Sequence, residues 1–306
     1  MNNIKNTIER AIKKGDLHNK IFCYILEKIG YSNEKLQALE IRNKKYLKIH
    51  KKYKKYLDNM NCDKIESIEN DKKDIWICWL QGYENSPEIV KCCLKSIIKY
   101  NKDKKLHIIT EKNLFNYIQL PGYILEKWKK GIITNTHFSD IIRLNILIKY
   151  GGIWMDATTY LTGKIPKYIE KSEFFMFRYK DRMDKTIKYN SWFICANKEN
   201  RILKTTRELL YEYWKKENKL SEYFLLHLFI TMAIEKYPED VSEMIYITDD
   251  VCHTLDYNLF EKYSNEKWEF MVNSTKINKM SYKFDKNKSK KNTFYEHIIR
   301  LGEKDE

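Results

Sequence analysis

Residues 136–160 read THFSDIIRLNILIKYGGIWMDATTY, and this stretch decides how the chain folds. Asn135 or Thr136 is expected to cap a helix by accepting a bond from the orphan backbone donors of its first turn. Ile141, Leu144, Leu147 and Ile148 recur at helical spacing and give that helix an apolar face. Asp140 and Arg143 lie three apart, so their side chains leave neighbouring positions. Gly151 and Gly152 end the helix, because glycine alone enters the left-handed region without steric cost. Ile153, Trp154 and Met155 form an apolar run too short for a helix, as an interior strand requires. Asp156 stands where that strand surfaces, and open α/β sheets bind ligands outside the carboxyl ends of their strands. Taken singly these features are ordinary: an Asp–Arg pair is commonly a surface ion pair, and an Asp after a strand a turn residue. Their order is what carries information.

The 306-residue length gives room for a sizeable core, and 43% hydrophobic with 32% charged residues fits a globular chain. No apolar run reaches the roughly 18–20 residues needed to cross a bilayer. Tyr223 to Ile234, the nearest candidate, is interrupted by His227 and Thr231 and suits a buried helix. The opening MNNIKNTIERAIKKGD lacks the apolar core and cleavage site of a secretory leader, so a cytoplasmic location is expected. Seven cysteines at irregular spacings read as reduced core thiols, with Cys78 and Cys195 inside strand-like runs. The net charge of +15 raises the question of nucleic acid. Only eight of the 57 basic residues are arginine, and Lys, Asn, Ile and Tyr are enriched together, as in an AT-rich genome. Nucleic acid is therefore not the expected partner. Attraction to anionic lipid at the inner face of the plasma membrane is the functional reading of the charge.

Residues 1–72 read as a basic helical module, with Ile4, Ile8 and Ile12 at spacing four and a second stripe at Ile21, Tyr24, Ile25 and Ile29. The run 44–60, KKYLKIHKKYKKYLDNM, interleaves lysines with Tyr46, Ile49, Tyr53, Tyr56 and Leu57. Either it meets a membrane or partner surface, or it presents a solvated basic face while packing on the main domain. At Asp74 the pattern changes. The segment 75–82, IWICWLQG, is a short strand; Ser86 and Pro87 are expected to cap and open the helix that follows. A second strand, LHIIT (106–110), precedes the helix-like EKNLFNYIQL, which makes the βαβ pattern of a parallel sheet. Further on, EFFMFR (173–178) and SWFICA (191–196) read as strands, while 201–216 and 220–236 read as helices. No GxGxxG follows a strand and no P-loop is present.

Three segments together, IWICWLQG, the SDIIR–YGG–WMDAT block and YFLLH, resemble the capsular polysaccharide synthesis family of glycosyltransferases. That family is related to glycosyltransferase family 32 and to the sugar-transferring domains of large clostridial toxins. The resemblance covers about residues 74–284. It implies a GT-A-type, Rossmann-like α/β domain over 73–284 with a mixed, mainly parallel sheet flanked by helices. The basic helical module then precedes it, and a basic tail with a short helix (285–306) follows. It also implies a nucleotide-sugar donor, UDP-sugar being expected, and a saccharide acceptor on a growing capsular or surface polysaccharide, expected to be lipid-linked.

By the same resemblance Asp140 and Arg143 touch the donor sugar. Trp79, Gln81 and Gly82 form the wall of the base pocket, with Trp79 stacking on the base. Asn190 and Ser191 face the sugar, His227 contacts phosphate or metal, and Lys279 or Lys283 bonds the leaving diphosphate. In such enzymes the strand carries an Asp-x-Asp motif that holds the diphosphate through Mn²⁺ or Mg²⁺, since hard cations prefer oxygen ligands. Here the motif reads Asp156-Ala157-Thr158, and the neutral Thr158 is a weaker ligand, so the expectation of a divalent metal at Asp156 and Thr158 is itself in question. Family 32 implies retention of anomeric configuration, although no second carboxylate in the sequence identifies a nucleophile. Two alternatives accompany this reading: a toxin-like transferase acting on protein, and a non-catalytic basic protein, binding nucleic acid or membrane, on a transferase scaffold.

Overall fold

The computed structural model describes residues 17–30, 34–64, 73–181, 183–285, 288 and 290–304. The Ile4–Ile8–Ile12 stripe lies outside them. Five strands make the central sheet: β1 (Ile75–Cys78), β2 (Leu106–Ile109), β3 (Gly152–Met155), β5 (Phe174–Arg178) and β6 (Tyr189–Ala196), in the order β2-β1-β3-β6-β5. β1 pairs parallel with β2 and β3, and β6 runs antiparallel to both β3 and β5. β6 is thus the one strand that runs against the other four, so the sheet is mixed and mainly parallel.

Strand alternation sends side chains to two separate cores. Trp76, Trp154 and Ile194 enter one core; Ile75, Ile77, Ile153, Met155 and Phe193 enter the other. A sheet covered on both faces needs apolar residues at successive positions, which is why its strands read as unbroken hydrophobic runs. The longer helices are α1 (Leu17–Lys28), α2 (Glu34–Asn59), α3 (Glu88–Tyr100), α4 (Gly122–Lys129), α5 (Asn135–Tyr150), α6 (Arg201–Lys216), α7 (Leu225–Lys236), α8 (Asn265–Ser274) and α9 (Phe294–Lys304). α2, α5, α6 and α7 line the first core, α3 and α9 the second.

The basic run on α2 packs inward. Tyr46, Ile49, Tyr53 and Leu57 are buried in the first core, while Lys44, Lys48, Lys51 and Lys55 stay in solvent. Tyr53 meets Phe229 of α7 edge to face at 5.6 Å. Arg42 pairs with the buried Asp184, and Tyr46 donates to Glu235 at 2.6 Å. Helix 34–59 therefore belongs to the same packed body as the sheet.

Some local expectations shift. Thr134, rather than Asn135 or Thr136, caps α5, its hydroxyl accepting from the His137 amide at 3.5 Å. Ser86 does not cap α3; it donates to Tyr83 O at 2.6 Å, and Pro87 leads directly into Glu88. Only Leu114–Tyr117 of EKNLFNYIQL is helical, and the 220–236 pattern begins at Leu225. A second sheet, not foreseen, pairs β4 (Thr159–Leu161) antiparallel with β7 (Ile277–Lys279).

The double glycine does more than stop α5. Gly151 and Gly152 have φ of 65° and 107°, and a Cβ on Gly152 would sit 2.5 Å from Asp74 O. That close approach lets Ile153 N bond Asp74 O at 2.8 Å, which sets β3 in register beside β1.

Candidate active site

A cleft of about 460 Å³ opens at the carboxyl ends of β1 and β3. Trp79, Leu80 and Gln81 form one wall; Arg143, Asp156 and Thr158 form the floor; Lys279, Tyr282 and Lys283 close the far side. The topology dictates this place. Two adjacent parallel strands end together here, and the turns after them carry the polar residues.

At the centre lies a chain of charges that α5 and β3 bring together. Arg143 Nη2 is 3.4 Å from Asp140 Oδ1 and 3.0 Å from Asp156 Oδ1. Its Nη1 donates to Ser191 O at 2.7 Å and to the Ser191 hydroxyl. Its guanidinium lies 5.2 Å from the Trp154 ring centroid, and Trp154 Nε1 donates to Asp156 Oδ1 at 3.2 Å. On the other side Lys279 Nζ donates to Asp156 Oδ2 at 3.1 Å and to the Thr158 hydroxyl. Burial alone would raise the Asp156 pKa, but Lys279 and Arg143 more than offset it and hold the carboxyl below its ordinary value. Asp156 is therefore an anion clamped between two cations.

Behind the floor, His227 Nε2 is 3.2 Å from Ser191 Oγ. That hydroxyl also accepts from Arg143, so it links the imidazole to the guanidinium. Burial pushes the His227 pKa down to about 4, against the pull of Asp140, so the ring is neutral at pH 7. Cys78 also lines the cleft; burial pushes its thiol up to about 12, against a hydrogen bond from Ser139 and the nearby Arg143, and the protonated sulfur is no nucleophile at neutral pH.

Four buried polar atoms around the cleft have no hydrogen-bond partner within the protein: Trp79 Nε1, His137 Nε2, Arg143 Nε and His227 Nδ1. Buried polar groups are nearly always paired. Others lie elsewhere in the protein, but Trp79 and Arg143 line the cleft itself, where ligand or water can meet them.

The structure gathers most of the residues singled out from the sequence. Trp79, Gln81, Arg143, Asp156, Thr158, Lys279 and Lys283 line the cleft, while Asp140, Ser191 and His227 brace its floor from behind. Two stand apart. Gly82, with φ 85°, shapes the turn after β1 and is not among the lining residues. Asn190 lies one position from Ser191 on β6, so its side chain takes the opposite face and reaches Arg178 O at 3.4 Å.

Sequence reasoning missed several contributors. Tyr282 meets Trp79 edge to face at 5.4 Å, and His137 Nδ1 is 3.3 Å from Asp140 Oδ2. Asp256 Oδ1 accepts from the Ser281 amide at 2.7 Å and so anchors the segment that carries Lys279, Tyr282 and Lys283. The spacing of His137, Asp140 and Arg143, three apart on one face of α5, was a signal available for the histidine. Nothing local to Tyr282 or Asp256 announces them.

The donor set does not fit a divalent cation. Both Asp156 oxygens are engaged by cationic or N–H donors, Thr158 is held by the Lys279 ammonium, and no group of three or more His, Cys, Asp or Glu side chains among the described residues is placed to hold a metal. At a phosphate site magnesium takes one or two carboxylates besides phosphate and water oxygens, and the one carboxylate here is already held by Arg143 and Lys279.

An open, mainly parallel sheet with a cation-lined cleft at its strand ends defines an α/β protein of the ligand-binding, switch-point type. The chain belongs to the family of capsular polysaccharide synthesis proteins, whose family model matches residues 27–298. That match takes in α2 and β7, so the helix before the sheet and the Lys279 segment are both parts of the family pattern. Among individual proteins, the O-glycosyltransferase PaGT of Phomopsis amygdali is 24% identical over 166 residues, covering 47% of this chain and 39% of that protein. The O-glycosyltransferase braB of Annulohypoxylon truncatum is 28% identical over 98 residues, covering 29% and 23%. The chain thus spans under half the length of these relatives. Among solved structures, the PaToxG glycosyltransferase aligns with a TM-score of 0.39 at 17% identity, covering 67% of this chain and 81% of that one. The glycosyltransferase GlyE of Streptococcus pneumoniae TIGR4 aligns with 0.44 at 13%, covering 76% and 60%.

Proposed function

We propose that the chain transfers a sugar from a nucleotide-sugar donor, a UDP-sugar being expected, to a hydroxyl on a growing surface polysaccharide. The observation that carries this is the Asp140–Arg143–Asp156–Lys279 relay on the floor of a cleft walled by Trp79. Trp79 offers a ring face to the base. Arg143 and Asp156 offer a donor and an acceptor to sugar hydroxyls, and Lys279 and Lys283 offer positive charge to the diphosphate. In the reaction the bond between the anomeric carbon and the β-phosphate oxygen breaks, and its electron pair stays on phosphate. The acceptor oxygen bonds the anomeric carbon, and its proton ends on the nucleoside diphosphate or in solvent. Charge grows on the leaving oxygens, where fixed cations stabilise it most.

The proposal extends to retention of configuration, a lipid-linked acceptor and action at the inner membrane surface. The exposed lysines of α2 supply the positive face for anionic lipid. No helix among the described residues is long and apolar enough to cross a membrane. Titrating a panel of nucleotide sugars while following thermal unfolding tests the core of the idea, because a ligand specific to the native state raises the melting temperature. One donor class is expected to shift it and to be slowly hydrolysed without acceptor. A bound nucleotide sugar located away from Arg143 and Asp156 would overturn the reading.

A further inference from the structure

We infer that Lys279 is the resident cation of this site, standing where a divalent metal would bridge a strand-end carboxylate to a diphosphate, so that the donor binds without added metal. The inference rests on the nucleotide-sugar reading and sharpens it.

Position is the first argument. Thr158 occupies the place of the second acidic residue of an Asp-x-Asp motif, and the Lys279 ammonium donates to both Asp156 Oδ2 and the Thr158 hydroxyl. The ammonium therefore sits between the two side chains that would otherwise share a metal. A cation and an ammonium cannot both occupy that place.

Rigidity is the second. Lys279 ends β7 and pairs with Thr159 of β4, while Met280 N bonds Thr158 O at 2.8 Å. The neighbouring Asn278 is 1% exposed and donates to Tyr160 O at 3.3 Å. The lysine stem is thus delivered by a strand, and little side-chain freedom remains to be lost when phosphate arrives. An ammonium has three N–H donors. Two are directed at Asp156 and Thr158, and the third is left for a ligand in the cleft that Lys279 lines.

Charge is the third. The cleft lining carries three fixed cations (Arg143, Lys279 and Lys283) and one carboxylate (Asp156); even with Asp140 paired to Arg143 from behind, positive charge is in surplus before any ligand enters. A diphosphate is an anion and meets that surplus directly. A divalent ion would enter a site that already repels it and would have to displace the Lys279 ammonium from the one lining carboxylate.

The test is calorimetric titration of UDP, GDP, CDP and ADP into the full chain, once with EDTA and once with millimolar manganese. Wild-type protein is expected to bind one of them equally in both buffers. Lys279→Ala, checked for an intact unfolding transition, is expected to weaken binding roughly 10- to 100-fold, the size of a lost charge-assisted hydrogen bond. Lys279→Arg restores most of it. Lys279→Asp faces Asp156 with a second carboxylate, and its binding is expected to appear only with manganese. Binding by wild type that disappears in EDTA and returns with manganese would overturn the inference while leaving the donor reading intact, as would unaltered affinity in Lys279→Ala. Failure of every nucleotide in both buffers would instead overturn the donor reading itself, and this inference with it.

Discussion

Two of the molecule's clefts lie at opposite ends of one sheet, and the larger of that pair is the less promising. The rear one, about 520 Å³, lies where the parallel strands begin and is lined in part by Glu199, Arg201, Glu239, Asp240 and Met244. Arg201 there is spent on two neighbouring carboxylates. Arg201 Nη2 is 2.6 Å from both Glu239 Oε1 and Asp240 Oδ1, and its Nε reaches Asp240 Oδ2 at 2.9 Å. The front cleft is smaller, about 460 Å³, but its lining holds surplus positive charge and two buried polar atoms without partners, Trp79 Nε1 and Arg143 Nε. Concavity alone does not make a site. Unspent hydrogen-bonding capacity and charge opposite in sign to the ligand's do, because a matching ligand recovers the free energy that both cost in the empty protein.

The sharpest way to break that comparison is to remove one carboxylate from each end. Asp156→Ala is expected to lower sugar transfer on the order of 100- to 1000-fold, the scale of losing a preorganised charge at a reacting centre. Asp240→Ala is expected to cost roughly 1–3 kcal/mol of stability by unpairing Arg201, with transfer unaffected at saturating donor. A rear variant that lost transfer as the front one does would erase the distinction. β3 offers a second version of the same contrast, since Gly152 and Asp156 flank one short strand. Gly152→Ala forces a Cβ to within 2.5 Å of Asp74 O at a φ of 107°. It should destabilise the chain by about 3 kcal/mol, seen as a lower urea midpoint with an unchanged nucleotide affinity per folded molecule.

How much of this was legible depended on sequence separation. Asp140, Arg143 and Asp156 fall within a single stretch where helical spacing, a glycine stop and a strand of fixed length determine relative position, so local rules placed them. Lys279 and Thr158 stand 121 residues apart, and no periodicity joins them; the β4–β7 pairing that does is only three residues a side. Tyr46, Ile49, Tyr53 and Leu57 announced an apolar face on α2, but a face does not name its partner, and membrane and protein core remained equally open. The structure gives that face to α6 and α7. Asn190 shows a different limit. The sequence reads that strand as beginning at Ser191, which leaves Asn190 outside it; the strand begins at Tyr189, and period-two alternation then turns Asn190 and Ser191 to opposite faces.

Trp79 tests a smaller effect at the front cleft. Its ring is expected to carry the base, and removing a stacking aromatic costs about 1–3 kcal/mol. Trp79→Ala should therefore weaken the bound nucleoside diphosphate roughly 10- to 100-fold, measured by calorimetry. Trp79→Phe should recover part of that. If the tryptophan were only core filling, stability would fall and affinity would not.

The mildest prediction concerns the brace behind the floor. His227 is held neutral, its pKa lowered from 6.5 to about 4 chiefly by burial. A folded-state pKa below the unfolded one means that acid favours the unfolded chain. The contribution is complete above about pH 6.5 and is lost progressively as the pH falls toward 4, where the folded form also takes up the proton. Asp156 is depressed as well, but from 3.8, so its loss begins only at more acidic pH and the two windows separate. Between about pH 7 and pH 5 the histidine should cost the native state at most about 2 kcal/mol. In His227→Gln, which keeps a hydrogen-bonding group beside Ser191 but cannot titrate, urea unfolding should show that much less acid sensitivity than wild type over the same range. Parallel curves for the two proteins would mean that the imidazole is reached by water and that the floor of the front cleft is wetter than its packing suggests, bringing it closer in character to the rear one.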